Sequence, residues 1–289
     1  MRNEELDRYK KNFPTEVMIE ATNCCNNRCF FCGSLVSKRK RGYIDEQLML
    51  RLISEAYDNG ARKISFHGMG EPCLCKSLAN YVCAAKREGY TYIYLDTNGA
   101  LATPEIIFPV IDEGLDSLKF SIHAATSETY KKITDNDVFE QVKENFIRVG
   151  NYIKENNINC KLIGYFAEST INCEEREAFK NMFELYASEL WISPIHNASG
   201  VKPDNCNFSV NKNVVSMKKI PCTELDRMII NWEGKAIVCC TDWTGSLIYG
   251  DANMCSLKEL WNCENVLQIR KEQEEIECLN EICKKCTGM

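Results

Sequence analysis

Short apolar runs alternate with longer amphipathic segments over the first two thirds of the chain. The runs are rich in β-branched and aromatic residues, which is typical of buried strands. We predict strands at Glu16–Thr22, Lys63–Gly68, Tyr92–Asn98, Ser117–Ile122, Cys160–Phe166 and Leu190–Ile195. Apolar residues repeat at helical spacing between them, which predicts helices at Asp45–Asn59, Ser77–Glu88, Pro104–Glu113, Val138–Glu155 and Glu174–Ser188. This alternation predicts an α/β fold with a parallel sheet, and periodicity alone does not separate an open sheet from a partial barrel.

The pattern changes after residue 195. The segment Ala198–Val210 is rich in Gly, Pro, Asp and Asn, and we interpret it as a linker. Beyond it, two β-rich runs flank a Glu-Gly turn signal and a helical stretch follows. The predicted elements are Met228–Trp232, Lys235–Val238 and a helix from Leu257 to about Glu275. We therefore predict a core domain over residues 1–197 and a small α+β module over residues 198–289.

Composition and charge narrow the class of protein. The chain has 289 residues, 45% of them hydrophobic, and a net charge of −6. An acidic chain argues against a broad nucleic-acid surface, which needs a basic face. The sequence has no apolar run of 18 residues that would predict a membrane helix, and the N-terminus has no apolar signal core. We therefore expect a cytoplasmic protein that contacts neither nucleic acid nor membrane.

One local exception to the acidic balance is the run Lys38-Arg39-Lys40-Arg41. Runs of like charge are most often solvated loops. The alternative interpretation is a patch that receives an anionic substrate or a redox partner.

The chain contains 18 cysteines and only three histidines. Since the cytosol keeps thiols reduced, a disulfide framework is not expected there. Metal or cluster ligation accounts better for the clustering of these cysteines. The densest cluster is Cys25-Asn-Asn-Arg-Cys29-Phe-Phe-Cys32, which directly follows the first predicted strand. Three thiolates on one loop leave one iron of a [4Fe–4S] cube open for a small molecule, and a structural zinc loop is the alternative.

With Phe31 before its last cysteine, this loop resembles the signature of radical S-adenosylmethionine (SAM) enzymes. The family carries a Gly-Gly-Glu-Pro-like turn after the second strand, and here residues 68–72 read Gly-Met-Gly-Glu-Pro. The resemblance implies that Gly68, Gly70 and Glu71 bind SAM, with Glu71 offering its charge to the ammonium group. Taken alone, the turn could be an ordinary strand end.

The resemblance continues in order at the next two strand ends, and it implies a partial (β/α)6 barrel. Thr97 and Asn98 end the third strand, where relatives line the SAM side, although Asn-Gly is also a common turn. Ser121 stands at the position where relatives contact the ribose. His123 replaces an Asp of many relatives, and it is either structural or in contact with substrate. The region near Glu168 does not match the family pattern cleanly.

The tail resembles the SPASM/twitch extension of radical SAM enzymes, which holds auxiliary iron–sulfur clusters. Its Cys-x11-Gly-x4-Cys pattern is followed by Cys-x2-Cys at the end of the chain. The resemblance implies one auxiliary [4Fe–4S] cluster, although four cysteines also suit a zinc ribbon. The implied ligands are Cys222, one of Cys239 and Cys240, Cys283 and Cys286.

The resemblance implies an enzyme that forms a 5′-deoxyadenosyl radical from SAM and removes a hydrogen atom from a substrate C–H bond. We expect oxidation of an alcohol on a sugar-like or aminocyclitol molecule, with the auxiliary cluster accepting the electron. Epimerisation is the second expectation, with Cys73 or Cys75 as hydrogen-atom donor, and peptide modification is the third. An external donor such as flavodoxin or ferredoxin is expected. A non-catalytic iron–sulfur or zinc protein is the alternative of a different class.

Overall fold

The computed structural model describes residues 11–195, 222–275 and 280–287, so the predicted linker Ala198–Val210 lies outside the described residues. Nine strands form one sheet: β1 (Glu16–Ile19), β2 (Lys63–Ser65), β3 (Tyr92–Thr97), β4 (Ser117–Ser121), β5 (Lys161–Glu168), β6 (Glu189–Pro194), β7 (Met228–Ile230), β8 (Lys235–Ile237) and β9 (Ile248–Asp251). The α-helices are α1 (Glu46–Asp58), α2 (Leu78–Glu88), α3 (Pro104–Asp112), α4 (Ser127–Thr134), α5 (Phe139–Glu155), α6 (Arg176–Phe183), α7 (Leu257–Trp261), α8 (Glu264–Glu274) and α9 (Glu281–Thr287).

Strands β1 to β6 lie side by side in chain order and all pair in parallel, with helices in the connections between them. The strand order is β6-β5-β4-β3-β2-β1-β7-β8-β9, so β6 does not close onto β1. The predicted α/β fold with a partial barrel is confirmed.

Helix α1 shows how the sequence sets these elements. The Asp45 side chain accepts a hydrogen bond from the Leu48 amide and caps the first turn. Met49, Leu52 and Ala56 are fully buried on one stripe of the helix. Gly60 then takes a positive φ of 112°, which ends the helix at a position that favours glycine.

The two faces of the sheet differ in chemistry because side chains alternate along each strand. On β3, Ile93 and Leu95 are buried in the core between the sheet and the helices. Tyr92, Tyr94 and Asp96 point to the other face, which is the concave inner face of the partial barrel, and they are only half-buried. We call the space over this concave face the lumen, and its walls are polar.

The C-terminal part joins the same sheet. Strand β7 pairs in parallel with β1, placing Val17 opposite Met228, and β7, β8 and β9 continue antiparallel. The predicted hairpin is confirmed and a third strand, β9, follows it. The division into domains at residues 197 and 198 stays a prediction.

Two helix predictions need correction. The helix from Leu257 to Glu275 is two helices, because the chain turns at Asn262 and restarts after Cys263. The helix at Glu174–Ser188 is shorter, since a 3₁₀ turn precedes α6 and α6 ends at Phe183. Helix α4 was not predicted. Within the described residues, no helix is both long and apolar enough to cross a membrane.

Candidate active site

The loop after β1 carries Cys25, Cys29 and Cys32, and none of them is in a disulfide. The loop is fixed by its own backbone and by α4. The Cys32 amide donates to the Cys29 carbonyl at 2.8 Å, and the Arg28 amide donates to the Thr134 carbonyl at 2.8 Å. The Ser34 amide also donates to the Cys32 sulfur at 3.4 Å. Hydrogen bonds of this kind stabilise a thiolate.

The electrostatics of the three thiols fit an iron–sulfur cluster. Burial, and then the neighbouring Cys32 and Cys25, raise the pKa of Cys29 above its usual range. Three thiolates are therefore costly on this loop unless a cationic group neutralises them. A cluster whose irons take thiolate ligands supplies that neutralisation.

The Gly-Met-Gly-Glu turn lies against the start of the cysteine loop. The Glu71 amide donates to the Cys24 carbonyl at 2.7 Å. A Cβ atom at Gly70 would lie 2.3 Å from the Thr22 carbonyl oxygen, and one at Gly68 would lie 2.7 Å from the Glu20 side chain. Both glycines are therefore required for close approach to the end of β1. Their predicted contact with SAM stays a prediction.

The Glu71 carboxylate is 1% exposed and joins the ends of β2 and β3. It accepts hydrogen bonds from the Thr97 hydroxyl at 2.7 Å, the Asn98 amide at 2.7 Å and the Cys73 amide at 3.0 Å. Thr97 is buried by this contact, whereas the Asn98 side chain donates to Asn26 of the cysteine loop at 2.8 Å. Glu71 thus positions the loops, and the predicted contacts of all three residues with SAM stay predictions.

His123 and Phe31 meet at the rim of the lumen. Their rings contact edge to face with centroids 5.3 Å apart, so the cysteine loop touches the end of β4. His123 has a φ of 63°, and its carbonyl accepts from the Asn172 side chain at 2.7 Å. Ser121 lies two residues earlier on β4 and is half-buried. The structure therefore brings Phe31, Ser121 and His123 to the same edge of the sheet.

His123 is a neutral side chain with a defined tautomer. Its Nδ1 accepts a hydrogen bond from the Ala167 amide at 2.9 Å, so the proton is on Nε2. Burial, and then the charge of Lys119, lower the pKa of His123 to about 3. His123 can donate a hydrogen bond to a ligand but cannot act as a base near neutral pH.

We expect the ring nitrogen shifts of His123 to stay constant between pH 5 and 8 in ¹⁵N NMR spectra. Because the unfolded chain binds a proton at this residue near pH 6.5 and the folded chain does not, folding stability should fall as the pH is lowered through 6.5. His123→Gln assigns the signals, since the chain has three histidines. A titration centred near pH 6.5 would contradict the assignment.

Cys73 and Cys75 are not brought into the lumen. They are 6% and 8% exposed and pack in the core between the sheet and the helices. Burial raises the pKa of both thiols, so they are uncharged there. A hydrogen-atom donor must touch the substrate radical, and this placement argues against the proposed role of either residue.

The lumen holds charged residues that the sequence motifs did not indicate. Lys119 Nζ lies 2.6 Å from Asp96 Oδ2, and His67 Nε2 lies 3.6 Å from the same oxygen. Arg227 of the C-terminal part pairs with Glu16 at 3.2 Å. The only sequence signal was the alternation of polar residues along the strands.

Three of these charged residues, Glu16, Asp96 and Lys119, line a cavity of about 180 Å³ within the lumen. Asp96 lies two residues before Asn98, and Lys119 lies two residues before Ser121, so each is roughly 7 Å further from the end of its strand. The residues that line the cavity are Glu16, Lys63, Tyr92, Tyr94, Asp96, Ser117, Lys119, Ile163 and Trp191.

The second set of cysteines lies in the C-terminal part. Atoms of Cys239, Cys240 and Glu224 lie within 4.8 Å of one another. The Cys222 amide donates to Gln273 of α8 at 3.2 Å. Cys283 and Cys286 are on α9, the first half-buried and the second buried.

The two cysteine regions touch through Gly33 and Trp243. Gly33 follows Cys32, and Trp243 comes three residues after Cys240. A Cβ atom at Gly33 would lie 2.0 Å from Cγ of Trp243, so the indole ring lies directly on the glycine. The Ser37 hydroxyl also donates to the Trp243 carbonyl at 2.6 Å.

Comparison with known proteins identifies both parts of the chain. Residues 19–171 match the radical SAM superfamily, and residues 222–287 match SPASM, an iron–sulfur cluster-binding domain. The chain belongs to the radical SAM superfamily, and its C-terminal part is a SPASM module. Its cofactors are SAM, the [4Fe–4S] cluster that binds SAM and an auxiliary cluster. The resemblance inferred from the motifs is thereby confirmed.

A probable GTP 3′,8-cyclase of Saccharolobus islandicus (strain M.14.25 / Kamchatka #1) is 28% identical over 191 residues. This match covers 66% of the chain and 58% of the relative, so the chain spans little more than half of that protein. The likeness therefore concerns the core more than the whole enzyme.

Two solved structures share the fold over most of the chain. BtrN in complex with AdoMet and 2-DOIA has a TM-score of 0.60 at 19% identity, covering 91% of this chain and 88% of BtrN. SuiB of Streptococcus suis, bound to the precursor peptide SuiA, has a TM-score of 0.70 at 15% identity, covering 99% and 74%. At such identities the likeness shows the fold alone.

Proposed function

We propose that this enzyme oxidises an alcohol of a sugar-like or aminocyclitol molecule to a ketone. Once bound SAM receives an electron from the reduced cluster, it supplies the carbon radical that removes a hydrogen atom from the substrate. Oxidation then requires that the substrate radical lose one proton to a base and one electron to an acceptor. The observation that carries the proposal is the Asp96–Lys119 pair, which lines a cavity in the lumen.

The lumen residues provide the proton acceptor. The carboxylate of Asp96 is about a quarter exposed, and Lys119 and His67 both face it. The side chain of Lys119 also lies 5.4 Å from the ring of Tyr165 and 5.6 Å from that of Trp191. Carboxylate, ammonium and aromatic groups together suit a small molecule with hydroxyl and amino substituents. The BtrN complex with 2-DOIA supports this class of substrate.

We propose that the auxiliary cluster, which accepts the electron, is held by Cys222, Cys239, Cys283 and Cys286. The choice of Cys239 over Cys240 rests on its hydrogen bonds. The Thr241 amide lies 3.4 Å from the Cys239 sulfur and the Thr241 hydroxyl lies 3.1 Å from it. The Cys32 sulfur makes a similar pair of contacts with Ser34, accepting from its amide at 3.4 Å and lying 3.2 Å from its hydroxyl. Cys240 instead contacts the Glu224 carboxylate at 3.2 Å.

Serine substitution distinguishes the two adjacent thiols. We expect Cys239→Ser to lower the iron content of the reconstituted protein from about eight to about four atoms per chain, because each cube carries four irons. Cys240→Ser should leave about eight. Iron analysis with Mössbauer spectroscopy measures both. Loss of iron in Cys240→Ser alone would reverse the assignment.

Peptide modification is the second candidate. It is favoured by the fold shared with SuiB in complex with a precursor peptide. Epimerisation receives less support, since Cys73 and Cys75 are buried away from the lumen.

Anaerobic reconstitution tests the proposed function. The protein, reduced with dithionite and given SAM, should form 5′-deoxyadenosine. Deuterated cyclitols, amino sugars and peptides then serve as substrates, and deuterium in 5′-deoxyadenosine identifies the class that reacts. A ketone product from a cyclitol is the expected result. Transfer from peptides only would replace the proposal with the second candidate.

The lumen pair should be needed for turnover but not for cleavage of SAM. We expect Asp96→Asn to lower the rate of ketone formation roughly 100-fold or more, in the range of a lost general base. Formation of 5′-deoxyadenosine without substrate should stay within about twofold, as the pair does not contact the cysteine loop. Glu189→Gln is the control, because it removes a carboxylate from the same face of the sheet. Equal losses in both variants would argue against a specific role.

A further inference from the structure

The basic run Lys38–Arg41 is split between structure and surface. Arg39 is 7% exposed and pairs with the buried Glu20 at 2.5 Å. Arg41 donates to the Asn23 carbonyl and, at 2.8 Å, to the Ser34 carbonyl. Since Asn23 and Ser34 flank the cysteine loop, the run is fastened to both ends of that loop.

Lys38 and Lys40 point outward from this fixed backbone. Both are exposed, and the described residues form no ion pair with either side chain. The Lys40 carbonyl accepts from the Asn23 side chain at 2.7 Å and from the Trp232 indole at 3.2 Å, which holds the backbone in place. The two charges are therefore positioned but not neutralised.

The surface between Arg41, at the end of the basic run, and the cysteine loop is concave. A cavity of about 430 Å³, open to solvent, has Cys25, Arg28, Leu35 and Arg41 in its lining. Cys25 is part of this lining, so the cavity borders the cysteine loop. Arg28 is paired only loosely, 3.5 Å from Asp135, and both side chains are largely exposed.

Two exposed apolar side chains lie on either side of the basic run in the chain. Leu35 is 37% exposed and Tyr43 is 48% exposed, and they lie on the segments before and after the basic run. Basic residues together with aromatic and aliphatic side chains are typical of surfaces that bind an acidic protein.

We propose that Lys38, Lys40, Arg28 and Arg41 form the docking surface for a small acidic protein that carries one electron at low potential. This inference rests on the proposed function, since the cluster that binds SAM must be reduced before the enzyme can cleave SAM. One electron passes to the cluster on the cysteine loop, whose charge falls by one, and the carrier is oxidised by one electron. The chain as a whole is acidic, with a net charge of −6, so an acidic carrier is repelled elsewhere and guided to this patch.

Binding measurements on the reconstituted holoenzyme test the docking surface. The probes are oxidised flavodoxin and a plant-type ferredoxin, titrated by calorimetry at low ionic strength. We expect Lys38→Glu/Lys40→Glu to weaken binding of the carrier by about tenfold or more, and the difference should shrink in 0.5 M salt as charges are screened. Lys154→Glu/Lys258→Glu is the matched control, since it makes the same charge change on exposed lysines of other elements.

Reduction kinetics separate this inference from the proposed function. With dithionite, the wild type and both double variants should form the reduced cluster, seen by EPR, at equal rates. With the protein carrier, only Lys38→Glu/Lys40→Glu should be slow. Unchanged binding in that variant, an equal effect in the control, or a wild type that binds neither carrier would overturn the docking surface. A wild type that binds the carrier but forms no 5′-deoxyadenosine would instead count against the proposed function.

Discussion

Cys29→Ala is expected to abolish formation of 5′-deoxyadenosine and to remove about four iron atoms per chain. The reason is geometric, since Cys29 lies between Cys25 and Cys32 on a loop whose backbone is held by α4 and by its own turn. The protein would bind a cube through only two thiolates more weakly, and the cube would no longer be held in a fixed orientation toward the Gly-Met-Gly-Glu turn. The auxiliary cluster, on other cysteines, should remain.

The measurement combines iron and sulfide analysis with detection of 5′-deoxyadenosine by mass spectrometry. Cys83→Ala is the matched control, because Cys83 is a free thiol on α2, away from both sets of cysteines. It should keep about eight irons and full SAM cleavage. If Cys29→Ala retained about eight irons and full SAM cleavage, the cysteine loop would not be the site of SAM binding.

Gly33→Ala is expected to destabilise the protein and to weaken both iron–sulfur sites. The new methyl group would lie 2.0 Å from the Trp243 ring. The indole is rigid and has no flexible end that could rotate out of the way, so the backbone would have to shift. Overpacking typically costs about 1–3 kcal/mol, occasionally more. Because Gly33 follows Cys32 and Trp243 follows Cys239 and Cys240, displacement of either backbone moves cluster ligands.

Thermal unfolding of the protein and iron retention after gel filtration measure this effect. Trp243→Ala provides the control background, in which Gly33→Ala should cost little because the ring is gone. The two substitutions should therefore be strongly non-additive in a double-mutant cycle. Additive losses would mean that the two residues do not interact as the structure shows.

The sequence-based predictions were most accurate for motifs whose residues are contiguous in the chain. The cysteine loop and the Gly-Met-Gly-Glu turn are contiguous, so spacing alone indicated their chemistry. Glu16 and Arg227 are 211 residues apart, and no local pattern shows that they pair. The same holds for Gly33 and Trp243, whose contact depends on how β7 to β9 join the sheet.

Helix α4 shows a local failure of a different kind. Its capping signal was present, since Thr126 accepts from the Thr129 amide, but the helix has only eight residues. The sequence left the choice between Cys239 and Cys240 open, because the spacings of two adjacent residues differ by only one position. Only their hydrogen bonds, to Thr241 and to Glu224, distinguish them.

The pairing of β1 with β7 also bears on how the enzyme is made in the cell. The cysteine loop is synthesised more than 200 residues before its packing partner Trp243. At about 5–20 residues per second, the loop waits roughly 10–40 seconds for that partner. The iron–sulfur assembly machinery therefore meets a nascent chain whose cysteine loop still lacks its packing partner, and stable loading of iron is expected only once Trp243 has emerged.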